Sequence, residues 1–430
     1  MPAAAAPAET TAYAPPLRTS VERLRGALLW LTGLSGAFVF MEPSPYEVAS
    51  LLTLIVFAVT GLSVRSAIMP LVLLLLLYNI GFSIAVVPVL AQQQTLTWVL
   101  ISWYMAATAI FFAAMLGQNT GHRLALLLRG YTAAAVIASI AAVGGYFHLL
   151  PLSDLFLKFG RAQGTFNDPN VLGAFLIFPA LLALQRVLAG RPGEVIRGGA
   201  LLMLFVLALL LSFSRGAWGQ FALCAVLVMA LTFIVSRSGK ERLRIIVVAL
   251  AGVLCLALFV GALLSIEQVA ELFQERATLD QSHDTGHTGR FGRWILGLHL
   301  ALEQPFGIGP LQFSQRFPED PHNSYLNAFM SGGWLSGISY ATLVLLTIVM
   351  GLRFVFVATP WQRTYIAAFA GFVGLAGESV IIDSDHWRHY FLLLGVQWGL
   401  IGASWRYRSM RHVQRATERA EPLAPLRRPA

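Results

Sequence analysis

Long apolar runs alternate with short polar connectors along almost the whole chain. About 20 consecutive apolar residues span the hydrocarbon core of a bilayer, and on that rule the sequence predicts about twelve transmembrane helices. They run near residues 26–41, 47–64, 67–91, 96–116, 124–148, 169–185, 198–213, 216–235, 245–264, 325–352, 364–382 and 389–405. Two connectors, 149–170 and 265–323, are longer than turns. In the second, Ile266, Val269, Leu272, Phe273 and Leu279 recur at roughly helical spacing and predict a short amphipathic helix at the membrane surface. Gln281 to Gly289 reads as a polar, mobile loop. Arg290 to Glu303 predicts a second helix, stopped by Pro305 and the turn Phe306-Gly307-Ile308-Gly309-Pro310.

The expected fold is an all-α polytopic membrane protein without a soluble domain or an internal repeat. It divides into a disordered tail (1–25), nine transmembrane helices (26–264), a long outer loop carrying short helices (265–323), three more transmembrane helices (324–405) and a basic tail (406–430). Composition agrees: 57% of the 430 residues are hydrophobic and only 12% charged, too few charges for a soluble fold of this length. The apolar run from Gly26 has no small-residue cleavage site after it, so it reads as a retained helix. Cys224 and Cys255 lie inside apolar runs and read as packing residues.

The net charge of +9 is unevenly placed. Threading puts all but eight of the 30 Lys and Arg on the side that holds both tails, and the positive-inside rule makes that side cytoplasmic. Topology and anionic lipid headgroups therefore account for the basic excess, and a nucleic-acid partner is not expected. The other eight are Lys158, Arg161, Arg215, Arg276, Arg290, Arg293, Arg316 and Arg388. Arginines on the face that topology leaves poor in cations, together with His322, point to an anionic substrate.

His322 stands where the outer loop re-enters the membrane, in Asp320-Pro321-His322-Asn323-Ser324-Tyr325-Leu326. An imidazole that titrates near neutrality can accept a proton from a hydroxyl nucleophile. Pro321 favours extended backbone before it, and Asn323 or Ser324 can cap a helix that starts just after. Arg215, in Ser214-Arg215-Gly216-Ala217, sits between two apolar spans with almost no loop, a costly position for an unpaired charge. Arg161 opens a turn-rich string that runs through Asn167 and Asp168 to Asn170 and ends at a predicted helix N-terminus, a favourable place for anions. Arg290 and Arg293, three apart, share a helical face and can grip one phosphate group. Asp383-Ser384-Asp385 has the spacing of a metal-binding pair, but no further carboxylates crowd it; its expected role is to pair with Arg388 or to orient His386 or His389. His283 and His287 fall in the polar loop with unspecific spacing. Glu378 reads as the buried partner of an arginine. No metal and no cofactor is expected.

Four strings together resemble the O-antigen ligase and polymerase superfamily of bacterial envelope glycosyltransferases. They are Arg161 to Asn170 with Val171-Leu172-Gly173; Ser214 to Ala217; Arg290 to Phe313; and His322 to Leu326 leading to Gly333 and Gly337. The resemblance implies a metal-independent inverting glycosyltransferase of the bacterial inner membrane with its site on the periplasmic side. Its donor would be an undecaprenyl-diphosphate-linked glycan and its acceptor lipid A-core or another glycan, most directly ligation to lipid A-core in lipopolysaccharide biosynthesis. Polymerisation and protein O-glycosylation are the alternatives in the same family. Carried onto this chain, Arg161, Arg215, Arg290, Arg293 and Arg388 would hold the diphosphate and His322 would activate the acceptor. Asn323, Tyr325, Asn167, Asp168 and Asp385 would support them. One departure weakens ligase against polymerase: the two glycines after the His are usually three apart, and Gly333 and Gly337 are four apart. A lipid-linked glycan flippase is the rival from another class, but transporters place polar groups near the midplane and often carry inverted repeats, features this chain lacks.

Overall fold

The computed structural model describes residues 16–40, 43–267, 270, 271, 273 and 289–420. These residues form thirteen α-helices: α1 (Pro16–Ser35), α2 (Pro45–Gly61), α3 (Met69–Ala85), α4 (Gln93–Met115), α5 (Thr120–Tyr146), α6 (Pro169–Ala189), α7 (Pro192–Leu211), α8 (Arg215–Val235), α9 (Gly239–Leu264), α10 (Arg290–Glu303), α11 (Ser324–Val355), α12 (Gln362–Glu378) and α13 (Arg388–Ala420). The only sheet among them is a two-residue pair, β1 (Leu157–Lys158) against β2 (Arg161–Ala162). Every predicted span falls on a helix, and α10 is the second helix expected in the long connector. Among the described residues, eight helices are long and apolar enough to cross a membrane: Ser66–Ala85, Gln93–Met115, Thr120–Tyr146, Pro169–Ala189, Pro192–Leu211, Arg215–Val235, Gly239–Leu264 and Ser324–Val355. The chain is a polytopic, all-α membrane protein.

Local chemistry explains where the helices begin. Proline occupies the first turn of α2, α3, α6 and α7, where its missing N–H costs no hydrogen bond. α1 starts at Pro16, ahead of the expected residue 26, so Arg23 and Arg25 lie on the helix rather than in a tail. α13 likewise continues to Ala420, through most of the expected basic tail. The predicted surface helix at 266–279 and the polar loop with His283 and His287 fall largely outside the described residues, as do residues 1–15 and 421–430.

Contacts between connectors sort the helix ends into two groups. At one end, Arg123 donates to Met115 O (2.8 Å), Arg244 to Gly190 O (2.9 Å) and Arg363 to Ala189 O (2.7 Å). At the other, Val39 N donates to Thr165 O (3.2 Å), Thr95 Oγ1 to Pro310 O (3.3 Å) and Ser324 N to Ser379 O (2.9 Å). Sequential connectors alternate between the two ends. The described chain starts and finishes at the first, here called the tail end; the second is the site end. α6 threads the middle of the bundle, with 83% of its apolar window buried, whereas α9 has 6% buried and lies on the outside. That contrast separates the two cysteines. Cys224 is buried and donates to Ala370 O (3.1 Å), but Cys255 is exposed on α9, so only Cys224 is the packing residue expected of both.

One helix is broken. At Gly333 the backbone of α11 turns to φ 76°, ψ 180°, a conformation reserved for glycine. The break frees the carbonyls of Met330 and Ser331, and the 305–309 turn fills the gap. Ile308 N donates to Met330 O (2.9 Å), Gly309 N to Ser331 O (3.1 Å), and Trp334 N returns a bond to Pro305 O (2.9 Å). A Cβ on Gly333 would sit 2.6 Å from Phe306 C, so the close approach also demands glycine. Irregular backbone at membrane depth is tolerated where protein satisfies it, as here. Phe313, Ile308, Ala301 and Met330 form a small separate core beneath the turn, which seats α10 on α11.

Candidate active site

His322 takes a left-handed backbone conformation (φ 50°), uncommon for a residue with a side chain. Such strain costs about 1–3 kcal/mol and persists only where neighbours impose it. Those neighbours are specific. Trp294 Nε1 donates to Pro321 O (2.7 Å), and Arg293 Nη1 donates to Asp320 O (3.0 Å) and Glu319 Oε2 (2.7 Å). On the other flank, Asn323 caps α11 by accepting from Leu326 N (3.0 Å). Ser324 is bound on both sides, its Oγ donating to Ile382 O (3.1 Å) and accepting from Ser384 N (2.8 Å). Tyr325 donates to Ala376 O (2.8 Å).

The His322 ring is itself oriented. Its Nδ1 lies 2.9 Å from Asp383 Oδ2, and both side chains are partly exposed. A carboxylate in that position accepts from Nδ1–H and so favours the tautomer whose lone pair is on Nε2. Burial holds the Asp383 carboxyl above the ordinary carboxylate range, while its hydrogen bond to His322 pulls the other way. Asp320 nearby is raised as well, first by burial and then by the Asp383 charge. The sequence expectation for the Asp383-Ser384-Asp385 string is met at His386 and corrected at Arg388. Asp383 serves His322, and Asp385 accepts from Asn327 Nδ2 (2.6 Å) and lies 3.5 Å from His386 Nδ1. Arg388 pairs instead with Glu47 at the start of α2. No local signal links residue 322 to 383; the pairing arises because the 379–387 connector folds over the start of α11.

The arginines differ in what they hold. Arg161 is buried, donating from Nε to Ser212 O (2.8 Å) and from Nη2 to Asn170 Oδ1 (2.8 Å), and so ties the 157–170 connector to the turn before α8. Arg293 is buried against the 319–321 segment, as described. Arg215 is half-buried in the first turn of α8, whose N-cap Ser214 accepts from Ala217 N (3.4 Å). A Cβ on the adjacent Gly216 would lie 3.2 Å from Glu378 Oε1, which brings the α8 start against the end of α12. Glu378 meets Gln220, whose amide donates to Oε2 (2.5 Å). The Arg290 backbone opens α10, and its side chain lies outside the described residues. Asp168 caps α6, accepting from Asn170 N (2.7 Å), and with Asn167 and Arg388 it lines a cleft of about 250 Å³ between α1, α6 and α13. The site end thus collects every candidate side chain the structure describes, with His322, Arg293 and Asp383 around one strained segment and Asn167, Asp168 and Arg388 in a neighbouring cleft.

Residues 200–341 match the family model described as O-Antigen ligase. No curated protein matches the chain. The matched stretch starts in α7 and ends in α11, and it includes Arg215, Arg290, Arg293, His322, Asn323 and Tyr325. Across that third of its length the chain is similar to the O-antigen ligase family. Asp383, Asp385 and Arg388 lie beyond it, supplied by the last two helices and their connector.

Proposed function

We propose that the protein is a glycosyltransferase of the bacterial inner membrane that moves a glycan from undecaprenyl pyrophosphate to an acceptor hydroxyl at the periplasmic face. The observation that carries this reading is the His322–Asp383 pair on a strained, multiply anchored segment inside the O-antigen ligase-like stretch. In the proposed step the acceptor oxygen attacks the anomeric carbon and the carbon–oxygen bond to the diphosphate breaks, inverting the configuration. His322 Nε2 takes the acceptor proton, Asp383 steadies the imidazolium that forms, and undecaprenyl pyrophosphate leaves. A diphosphate is already a good leaving group, so stabilising its developing charge is the main demand on the protein.

Arg215 and Arg290 are assigned to that charge, since planar guanidinium groups at the low-dielectric edge of a membrane suit a diphosphate without a metal. Arg161, Arg293 and Arg388 have the assigned part of fixing the backbone and connectors around the donor. The alternation of connectors supports twelve crossings with α10 at the surface. The basic residues gathered at the tail end support placing both termini in the cytoplasm. Ligation to lipid A-core is the favoured acceptor step; polymerisation and protein O-glycosylation differ from it in acceptor alone.

Deleting the gene and inspecting the envelope glycans tests the reading. Lipid A-core without long glycan, alongside polymer accumulating on carrier lipid, identifies a ligase. Single repeats capped onto core identify a polymerase, and altered glycoprotein with normal polysaccharide identifies a protein-directed enzyme. Unchanged glycans of all three kinds would defeat the proposal.

A further inference from the structure

α10 has two faces with different surroundings. One is packed: a Cβ on Gly297 would meet Leu326 (2.9 Å) and Met330 (3.3 Å) of α11, and Ala301 belongs to the small core beneath the 305–309 turn. The other carries Phe291, Ile295, Leu298 and Leu302, three or four residues apart and therefore on one stripe. Each of these four is 52–60% exposed. His299 and Glu303, exposed on the adjoining flank, give the stripe a polar border. Four large apolar side chains bared in a row are costly in water and call for a nonpolar surrounding.

The neighbouring helix shows what that surrounding is. Trp334 stands just past the break in α11, and its Nε1 donates to Ala301 O (2.7 Å), beside Leu302. The Trp334 ring is exposed, and Leu335, Ile338 and Leu345 lie exposed beyond it. α11 is long and apolar enough to cross a membrane, so its bare apolar side is the side that meets lipid. Trp334 joins that side to the α10 stripe. An indole with its N–H satisfied and its ring bare suits the boundary between acyl chains and headgroups. Exposed Phe306, in the turn after α10, adds a second aromatic ring near the same place.

From this continuity we infer that α10 is docked on the bilayer at the site end, with its stripe sunk among the phospholipid acyl chains. The polar border then faces water, the posture of an amphipathic helix lying in the membrane surface. The seat bears on the active site. From α10, Arg293 holds Asp320 O and Trp294 holds Pro321 O, so a helix kept from rolling by lipid keeps His322 in its strained conformation. The membrane thereby helps to position the imidazole.

The test places single cysteines in the full-length protein, in a Cys255→Ala background, and labels them with bimane. Cys224 is buried and stays unlabelled. The protein is held without donor or acceptor in nanodiscs of phosphatidylcholine, with or without bromine on the acyl chains. Ile295→Cys and Leu302→Cys should lose emission about twofold or more to the brominated lipid and little to aqueous iodide, as should Leu345→Cys on α11. Ser314→Cys, on an exposed connector, should do the reverse. Quenching of the stripe by iodide alone overturns the docking, because water then covers it. Quenching by neither overturns it in favour of a protein cover, such as a second copy of the chain.

A second arm reads the positioning. Leu298→Asn with Leu302→Asn alters only exposed side chains, so the thermal midpoint should hold. Lipid quenching at Ile295→Cys should disappear, and kcat for transfer should fall about tenfold or more with the donor KM nearly unchanged. Leu298→Ile with Leu302→Ile should keep both. Full kcat after the quenching is lost would overturn the link to His322. This arm rests on the glycan-transfer reading, and the quenching does not. Lipid quenching in a protein that transfers nothing keeps the docking and defeats that reading; iodide quenching in a protein that transfers normally does the reverse.

Discussion

At the tail end, Arg25 and Arg123 share the Glu22 carboxylate (2.7 and 2.6 Å) and both guanidinium groups lie over the Phe57 ring. Arg25 closes onto Thr60 and Gly61, and Arg123 onto Met115, the residues that finish two regular helices. At the site end, buried arginines grip irregular backbone instead: Arg161 the turn at Ser212, Arg293 the segment before His322. The chemistry is the same and the use is different. Buried ion pairs are poor sources of net stability, because desolvation offsets attraction. Their value at the site end is geometric, since they hold a strained residue that an unassisted loop would relax. Burial of a cation in this fold therefore does not mark function; what the cation grips does.

Substitutions at the two ends break or sharpen that contrast. The largest effect is expected from His322→Ala, which should lower transfer by about 10²–10⁴-fold while leaving donor binding intact. A purified variant with full turnover would remove the imidazole from the chemistry. Asp383→Asn should cost about 10²-fold or more, as when a carboxylate that fixes a catalytic imidazole is neutralised. Here the sign of the pH dependence matters. Burial raises the Asp383 pKa, so on acidification the carboxylate is neutralised earlier than a free one, and activity falls as pH drops through that range. In Asp383→Asn the acid limb, which then belongs to His322 alone, should move to lower pH; an identical profile would count against the pair. Arg215→Ala should slow transfer roughly a hundredfold and weaken donor engagement. Gly333→Ala should destabilise the folded protein by about 2 kcal/mol or more, read as a lower thermal midpoint in detergent. The smallest effect on turnover belongs to Arg123→Ala at the tail end, which should lower the thermal midpoint while the folded fraction transfers at nearly the wild-type rate. Comparable loss of turnover in Arg123→Ala and Arg215→Ala would erase the distinction between the ends.

Much of the architecture is legible in the chain because its signals are local. Apolar runs locate the spans, Asn323 and Asp168 announce helix starts, and Pro305 stops α10. The site is only half legible for the converse reason. His322 and Asp383 are 61 residues apart, and Glu47 and Arg388 are 341 apart, so neither pairing leaves a pattern in any window. Arg293 reads from its spacing as a phosphate ligand, yet its guanidinium meets Glu319, which only the packing of α10 against the returning connector brings near. The break in α11 had a visible cue in Gly332-Gly333, but nothing in the sequence said which segment would answer it.

The break at Gly333 has a consequence for engineering this protein. Two carbonyls that no helix can satisfy are met by Ile308 and Gly309, and an unmet one in hydrocarbon costs several kcal/mol. Loop and helix are thus interlocked like a key and its wards: lengthening the chain inside 305–309 would misregister every tooth at once. Extra residues at exposed Ser314 to Arg316 lie beyond the lock, and there a tag or reporter could ride without disturbing the fit.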